Sequence, residues 1–138
     1  MRYLALADSQ RNLLLLIARI FLTALFIVFG GQKVMDFQGT VNYMTATGAP
    51  IPELAAVIAI IAELIIGIAL LLGFFTRPLA LLLAVYTLGT AFIGHHFWTM
   101  TGTEQYENMI NFYKNVSIFG GLFALAVAGP GRFSLDGR

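Results

Sequence analysis

The sequence predicts an all-α integral membrane protein built as a bundle of four helices. Two observations carry this prediction. Of the 138 residues, 59% are hydrophobic and only 11% are charged, whereas about one quarter of the residues in soluble domains are charged. In addition, four apolar segments reach the roughly 20 residues that a helix needs to cross a bilayer. We therefore predict one membrane domain over residues 1–138, in contact with lipid.

The four predicted spans cover residues 13–34, 54–75, 78–98 and 110–128. Spans two and three are separated only by Thr76-Arg77-Pro78, and proline suits the first turn of a helix. So short a link predicts an antiparallel helical hairpin. The connections over residues 35–53 and 99–109 are longer and polar, and we expect both to be loops.

The basic residues predict the orientation of the bundle. Five of them fall on one side of the predicted membrane: Arg2, Arg11, Arg77, Arg132 and Arg138. The loops on the other side contain one basic residue, Lys33, together with four acidic residues. Because cytoplasmic loops are enriched in Lys and Arg, both termini are predicted to be cytoplasmic.

Three ionisable residues fall at membrane depth, namely Arg19, Glu63 and Lys114. Each costs about 2.5–3.5 kcal/mol at the centre of a spanning helix, so such residues usually face inward and pair. Glu63 stands in an otherwise uncharged run and needs a cation or a ligand. The sequence leaves open whether it pairs with Arg19 or with Lys114.

Helical spacing predicts a polar pocket around Glu63. Asn111, Lys114 and Asn115 share one stripe of the fourth span. We expect Glu63 to form the floor of the pocket and these residues its wall. The candidate ligand-pocket residues are Glu63, Lys114, Asn111, Asn115, Arg19, Lys33, His95 and His96. In one interpretation the charges only fasten the helices, and in the other they receive the polar head of a small ligand.

Metal and cofactor chemistry is not predicted. Adjacent helical residues such as His95 and His96 point about 100° apart, so they cannot readily bind one ion from one face. Cysteine is absent, which excludes disulfides, thiolate metal sites and iron–sulfur clusters. No catalytic residue set emerges. A net charge of +1 without a cluster of basic residues also argues against a nucleic-acid partner.

Five stretches in order resemble the DoxX family of small bacterial membrane proteins, in its enteric inner-membrane branch. They are LLLLIARIFLTALFIVFGGQK, AELIIGIALLLGFFTRPLALLL, HHFW, NFYKNVSIFGG and GPGRFSLD. The resemblance implies a four-helix inner-membrane protein. It also implies a link to quinone redox chemistry, because the family takes its name from a subunit of a thiosulfate:quinone oxidoreductase. Phe29 stands where many members have a histidine.

These observations lead to a ranked set of functional hypotheses. The first is a protein that binds a quinone or quinol and that is at most one subunit of a quinone-linked oxidoreductase. An electron-donating partner protein would then be needed. The second is a structural or assembly protein without enzymatic activity, and the third is a small permease. The sequence leaves a homo-oligomer open.

Overall fold

The computed structural model describes residues 6–137, and every regular element in that range is helical. The α-helices are α1 Asp8–Met35, α2 Phe37–Ala46, α3 Pro52–Ile60, α4 Gly67–Leu72, α5 Thr76–Gly94 and α6 Gly102–Ala128. A π-helical segment, Ile61–Ile66, joins α3 to α4, and a 3₁₀ turn, Phe97–Thr99, follows α5.

Four of the helical stretches are long and apolar enough to cross a membrane: Asp8–Met35, Pro52–Leu72, Thr76–Thr99 and Gly102–Ala128. The prediction of an all-α protein with four spans is therefore confirmed. The predicted orientation of the termini stays a prediction. Two of the arginines on which it rests, Arg2 and Arg138, lie outside the described residues.

Two of the predicted loops contain helix. The first connection includes α2, which begins after Asp36, whose carboxylate accepts a hydrogen bond from the Gly39 amide at 2.9 Å. Aspartate in this position is a common helix cap. The second predicted loop is shortened because α6 begins at Gly102 instead of residue 110. The polar residues of its first turns continue the helix beyond the apolar segment, and the hydropathy pattern does not record such an extension.

The hairpin turn between the second and third spans is Gly73–Phe75, not the predicted Thr76-Arg77-Pro78. Gly73 ends α4 in the left-handed conformation, with φ of 67°. The carboxylate of Asp136 then accepts the Phe75 and Thr76 amides, both at 2.8 Å, and so caps the start of α5. Pro78 lies in the first turn of α5, as predicted.

The core lies between the helices of the two halves of the chain. Leu70, Leu83 and Leu122 are completely buried there. Ala80 and Ala84, also completely buried, follow each other one turn apart on α5. Small residues at this spacing allow two membrane helices to approach closely, and α5 and α6 form the most extensive helix pair of the bundle.

The two ends of the bundle differ in construction. At one end, residues 129–137 return across the helix termini, and the Leu135 amide donates to the Leu72 carbonyl at 3.0 Å. Arg77 donates to the carbonyls of Ala126 and Val127 at 2.7 and 2.6 Å, which satisfies the last turn of α6. We call this the tail end. The opposite end, which includes α2, is called the loop end.

Candidate functional site

A group of three polar side chains lies inside the bundle toward the loop end. The carboxylate of Glu63 accepts a hydrogen bond from Lys33 Nζ at 2.6 Å and another from the Tyr86 hydroxyl at 2.7 Å. The two donors contact different oxygens, so both carboxylate oxygens of Glu63 have a partner. Lys33 belongs to α1, Glu63 to the π-helical segment and Tyr86 to α5. We call these three residues the Glu63 cluster, and it joins three of the four spans.

The backbone around Glu63 is specialised. A π-helix has a wider turn than an α-helix and is frequently found at functional sites. Gly30 of α1 packs directly on this turn, and a Cβ atom there would lie 2.7 Å from Leu64 N and 3.0 Å from Glu63 Cβ. The absence of a side chain at Gly30 therefore lets α1 approach the π-helical segment. Lys33, one turn further along α1, is thereby brought to Glu63.

The cluster is partly shielded and has unused hydrogen-bonding capacity. The side chains of Lys33 and Glu63 are 21% and 13% exposed. A lysine ammonium has three N–H donors, and the hydrogen bonds found within residues 6–137 use one of those on Lys33. The ring of Phe29 lies 6.0 Å from Lys33 Nζ, within cation–π range. The cluster can therefore still donate to an oxygen acceptor beside an aromatic face.

A cleft opens at the loop end on the side of Tyr43. It has a volume of about 510 Å³ and is lined by Tyr43, Ala46, Thr47, Gly94, His96, Thr99, Met100, Thr101, Glu104 and Asn108. Burial and the negative charge of Glu63 raise the pKa of Tyr43 above its ordinary value. Tyr43 lines the cleft and belongs to α2, the helix that follows the Lys33 end of α1.

The structure brings together two of the predicted pocket residues, Lys33 and Glu63. The expectation that Glu63 pairs with Arg19 or Lys114 is wrong, because its cation is Lys33. Within residues 6–137 this is the one ion pair between side chains. Lys33, which we expected at the rim of the pocket, is a direct partner of the carboxylate.

Arg19 lies far from this cluster. Its side chain is completely buried toward the tail end, where Nη1 donates to the Leu71 carbonyl at 2.7 Å and Nη2 donates to the Phe133 carbonyl. Arg19 therefore ties the end of the second span to the returning tail. The partners of Arg19 are therefore these two backbone carbonyls and not the carboxylate of Glu63, which the sequence analysis considered.

The predicted wall of the pocket is divided between two faces of α6. Lys114 is exposed on the outer face of that helix and donates to Asn111 Oδ1 at 3.0 Å. Asn115 is buried instead and donates to the Thr90 hydroxyl at 3.3 Å. Adjacent positions on a helix point in different directions, so Lys114 and Asn115 cannot both face Glu63.

The two histidines are held by local partners. His95 Nδ1 lies 3.0 Å from Asn108 Oδ1, and His96 Nδ1 lies 2.7 Å from the Thr99 hydroxyl. His96 lines the cleft at the loop end. Among the described residues there is no group of three or more His, Cys, Asp and Glu side chains that could hold a metal ion.

Tyr86 is the member of the Glu63 cluster that the sequence analysis missed. It stands in the apolar third span, where we looked for charges and not for phenols. A buried tyrosine hydroxyl usually has a hydrogen-bond partner, and inside a bilayer such a partner must come from the protein. A phenol in the middle of a span is therefore a signal that could have pointed to Tyr86.

Fold and site define a class: a four-span helical membrane protein with a Lys–Glu–Tyr cluster inside the bundle. The sequence profile of the DoxX family matches residues 14–96. The inner membrane protein YphA of Escherichia coli strain K12 is 59% identical over 130 residues, covering 94% of this chain and 93% of the relative. The chain belongs to the DoxX family and is a multi-pass inner-membrane protein.

A second relative agrees with this assignment. The inner membrane protein YqjF of the same strain is 40% identical over 121 residues, which cover 88% of each chain. No solved structure is a significant match. The profile match, residues 14–96, includes all three members of the Glu63 cluster and ends before α6.

Proposed function

We propose that this DoxX-family protein binds a quinone or quinol in the inner membrane, with the polar head of the ligand at the Glu63 cluster. The observation that carries the proposal is an intramembrane carboxylate held between an ammonium and a phenol. Ionisable residues at membrane depth commonly mark ligand or proton sites. The family resemblance supports the choice of ligand, since the name of the family comes from a quinone-linked enzyme.

The donors and acceptors of the cluster suit both redox forms of such a ligand. A quinone carbonyl can accept an N–H of Lys33 that the protein does not use. A quinol hydroxyl can donate to Glu63, since each carboxylate oxygen has two lone pairs and the described hydrogen bonds use one on each. The ring of Phe29 beside Lys33 Nζ offers an apolar face to the ligand ring.

Access is proposed from the loop end. The cleft beside Tyr43 has a volume of about 510 Å³, in the usual range for small-molecule sites. Its polar lining suits the head of an amphipathic molecule, while the tail stays in lipid. The proposed route from the cleft to Lys33 and Glu63 passes Tyr43, which lines the cleft.

The proposed role is binding, with electrons supplied by another protein. The sequence contains no cysteine, and residues 6–137 contain no group of three or more His, Cys, Asp and Glu side chains that could hold a metal ion. The protein would then be at most a quinone-binding subunit, and its electron donor a partner in the membrane. Co-purification with a redox protein would identify that partner.

The test measures quinone retained by the purified protein. Solvent extracts of wild type and of Glu63→Gln are analysed by mass spectrometry, and the affinity for a short-chain quinone is titrated. Loss of one charged hydrogen bond is worth about 1.5–3 kcal/mol, so the affinity should fall about tenfold or more. Glu53→Gln, an exposed carboxylate in the first turn of α3, is the matched control and should retain the ligand.

A second variant guards against a loss of fold. Tyr86→Phe removes one hydroxyl and leaves the Lys33–Glu63 pair in place, so it should keep the fold and still weaken binding. Equal quinone retention in wild type, Glu63→Gln and Tyr86→Phe would refute the proposal.

A structural role for the cluster is the second candidate. It is favoured by the fact that both oxygens of Glu63 already have protein partners. Replacing an ion pair by apolar residues is often neutral or stabilising, whereas removing one partner typically costs about 3–5 kcal/mol. If the cluster only fastens helices, Lys33→Met with Glu63→Met should restore much of the stability lost in either single variant, and no quinone should ever be found.

A permease is the third candidate and has the least support. It needs a polar path through the tail end of the bundle, where Arg19 and Thr23 are the buried polar side chains of α1. Both are completely buried, and Arg19 is engaged by backbone carbonyls of α4 and of the tail. Solute flux in proteoliposomes would distinguish this candidate from the other two.

A further inference from the structure

Lys114 is a cation on the outer surface of a membrane-spanning helix. It lies about 18 Å along α6 from Gly102 and about 21 Å from Ala128, at a rise of 1.5 Å per residue. A helix crosses the hydrocarbon core in about 20 residues. Counting that number back from Ala128 places the edge of the hydrocarbon core near Met109. Lys114 is then one to two turns inside the boundary at the loop end.

The other spans present apolar side chains on their outward faces. These faces carry residues such as Phe21, Val28, Ile61, Ile65, Leu82 and Val85, all at least 50% exposed. By contrast, Lys114 is exposed, and its described hydrogen-bond partner is the amide of Asn111. No carboxylate within residues 6–137 forms an ion pair with it. This face of α6 is therefore not suited to contact with lipid chains alone.

The direction of the Lys114 side chain indicates where its partner lies. Its Nζ reaches back to Asn111, one turn toward the loop end, as expected of a lysine that extends toward the membrane surface. The partner must therefore carry negative charge at the level of the lipid head groups. A second copy of the chain does not meet this requirement. A two-fold axis across this face, with both copies inserted in the same direction, would place one Lys114 near the other.

A groove beside Lys114 completes the site. It is lined by Met109, Ile110, Tyr113, Lys114 and Ser117 and has a volume of about 400 Å³. Tyr113 is 57% exposed, and its phenol suits the interface between chains and head groups. The groove thus combines an ammonium, a phenol and an apolar wall.

We infer that the Lys114 groove is a binding site for an anionic phospholipid of the leaflet at the loop end. The ammonium of Lys114 and the phenol of Tyr113 take the phosphate, and the first part of an acyl chain lies along Ile110. The site is independent of the Glu63 cluster, because Lys114 is exposed on α6, whereas Glu63 is shielded and bonded to Lys33 of α1 and Tyr86 of α5. It also lies outside the range of the family profile.

The test is native mass spectrometry of the purified protein with phosphatidylglycerol and, separately, with zwitterionic phosphatidylethanolamine. Wild type should retain phosphatidylglycerol preferentially. Lys114→Met keeps the apolar stem but removes the charge, and a charge near the membrane surface contributes enough to lower the affinity for phosphatidylglycerol about fivefold. Lys114→Arg keeps the charge and should bind as wild type does.

Each outcome bears on the assignment. Because Lys114 is exposed, Lys114→Met should fold, and circular dichroism checks this. Unchanged phosphatidylglycerol binding in folded Lys114→Met would overturn the assignment. Loss of a dimer mass in that variant would also overturn it, since the face would then belong to a protein interface. The outcome leaves the quinone proposal untouched, since Lys114→Met does not alter the Glu63 cluster.

Discussion

Two adjacent glycines of α1 provide the sharpest test of how the Glu63 cluster is built. Gly30 and Gly31 share the same helix and differ in their surroundings. A Cβ at Gly30 would lie 2.7 Å from Leu64 N and 3.0 Å from both the carbonyl carbon and Cβ of Glu63, whereas a Cβ at Gly31 has nothing within 4 Å. The prediction is that Gly30→Ala destabilises the protein and that Gly31→Ala does not.

The magnitudes follow from two opposing effects. Alanine is favoured over glycine in a helix interior by about 0.8–1.0 kcal/mol, and both variants receive this benefit. Gly30→Ala must also push apart two backbones, and an overpacked core typically costs about 1–3 kcal/mol. The close neighbours include backbone atoms, which cannot move aside as a flexible side chain can. The two variants should therefore differ by about 1–3 kcal/mol in the free energy of unfolding.

The assay is thermal and denaturant unfolding in a mild detergent, followed by circular dichroism. Gly31→Ala should match or exceed the stability of wild type, and Gly30→Ala should fall below it. Because the displaced turn carries Glu63, Gly30→Ala should also weaken any ligand that contacts the Lys33–Glu63 pair. Equal stability of the two variants would refute the argument that Gly30 sets the distance between α1 and the π-helical segment.

Three further predictions concern the cluster and the tail end. Tyr86→Phe should lower the free energy of unfolding by about 1–3 kcal/mol, because Glu63 loses a buried hydrogen bond. The control, Tyr106→Phe at an exposed position, should stay within about 0.5 kcal/mol of wild type. A similar loss of stability in both variants would contradict the role of the Tyr86 hydroxyl. Asp136→Asn should cost about 1 kcal/mol, as the loss of a helix cap does. Although desolvation raises the pKa of Asp136, hydrogen bonds from Thr76 and Phe75 and the charge of Arg19 lower it overall below its ordinary value of 3.8. The contribution of the ionised Asp136 carboxylate to the free energy of unfolding is therefore fully present above pH 3.8, and it is lost as the pH falls through the lower pKa of the folded state. The unfolding curves of wild type and Asp136→Asn should converge only in strong acid. Convergence near neutral pH would show that the carboxylate charge is unimportant. Gly73→Ala should destabilise more than Gly48→Ala, since both glycines have positive φ but only a Cβ at Gly73 would meet other groups, namely Ser134 Cβ and, at 2.6 Å, Arg19 Nη1. Equal losses in thermal unfolding would mean that backbone strain alone matters.

The sequence predicts the parts of this fold that depend on local pattern. Hydropathy identifies the four spans, and the short link before Pro78 identifies the hairpin. The cap at the start of α5 cannot be predicted from local pattern, because the capping residue, Asp136, lies 60 residues away from Thr76. Helix α2 escapes it because a short interfacial helix resembles a polar loop in composition.

The partner of Glu63 shows where one-dimensional reasoning stops. Depth and charge limit its partner to the few cations near the membrane, and the sequence analysis favoured Arg19 and Lys114. The choice of Lys33 depends on the rotation of each helix about its own axis. Packing sets that rotation through contacts such as Gly30 against Leu64, and periodicity within one helix does not reveal it. The hydrogen bond from the Tyr86 hydroxyl to Glu63 also depends on helix rotation, so the sequence does not reveal it either.

The construction of the two ends restricts how a ligand can reach the Glu63 cluster. At the tail end, Arg19 and Asp136 bind backbone groups of α4, α5 and the returning chain. These contacts join segments distant in sequence, so a ligand could pass only if several of them broke together. At the loop end, Tyr43 lines an open cleft and belongs to α2, the helix that follows the Lys33 end of α1. A ligand that reaches Glu63 should therefore arrive from the loop end, and substitutions at Tyr43 should change its association rate more than substitutions at Arg19 that preserve the fold.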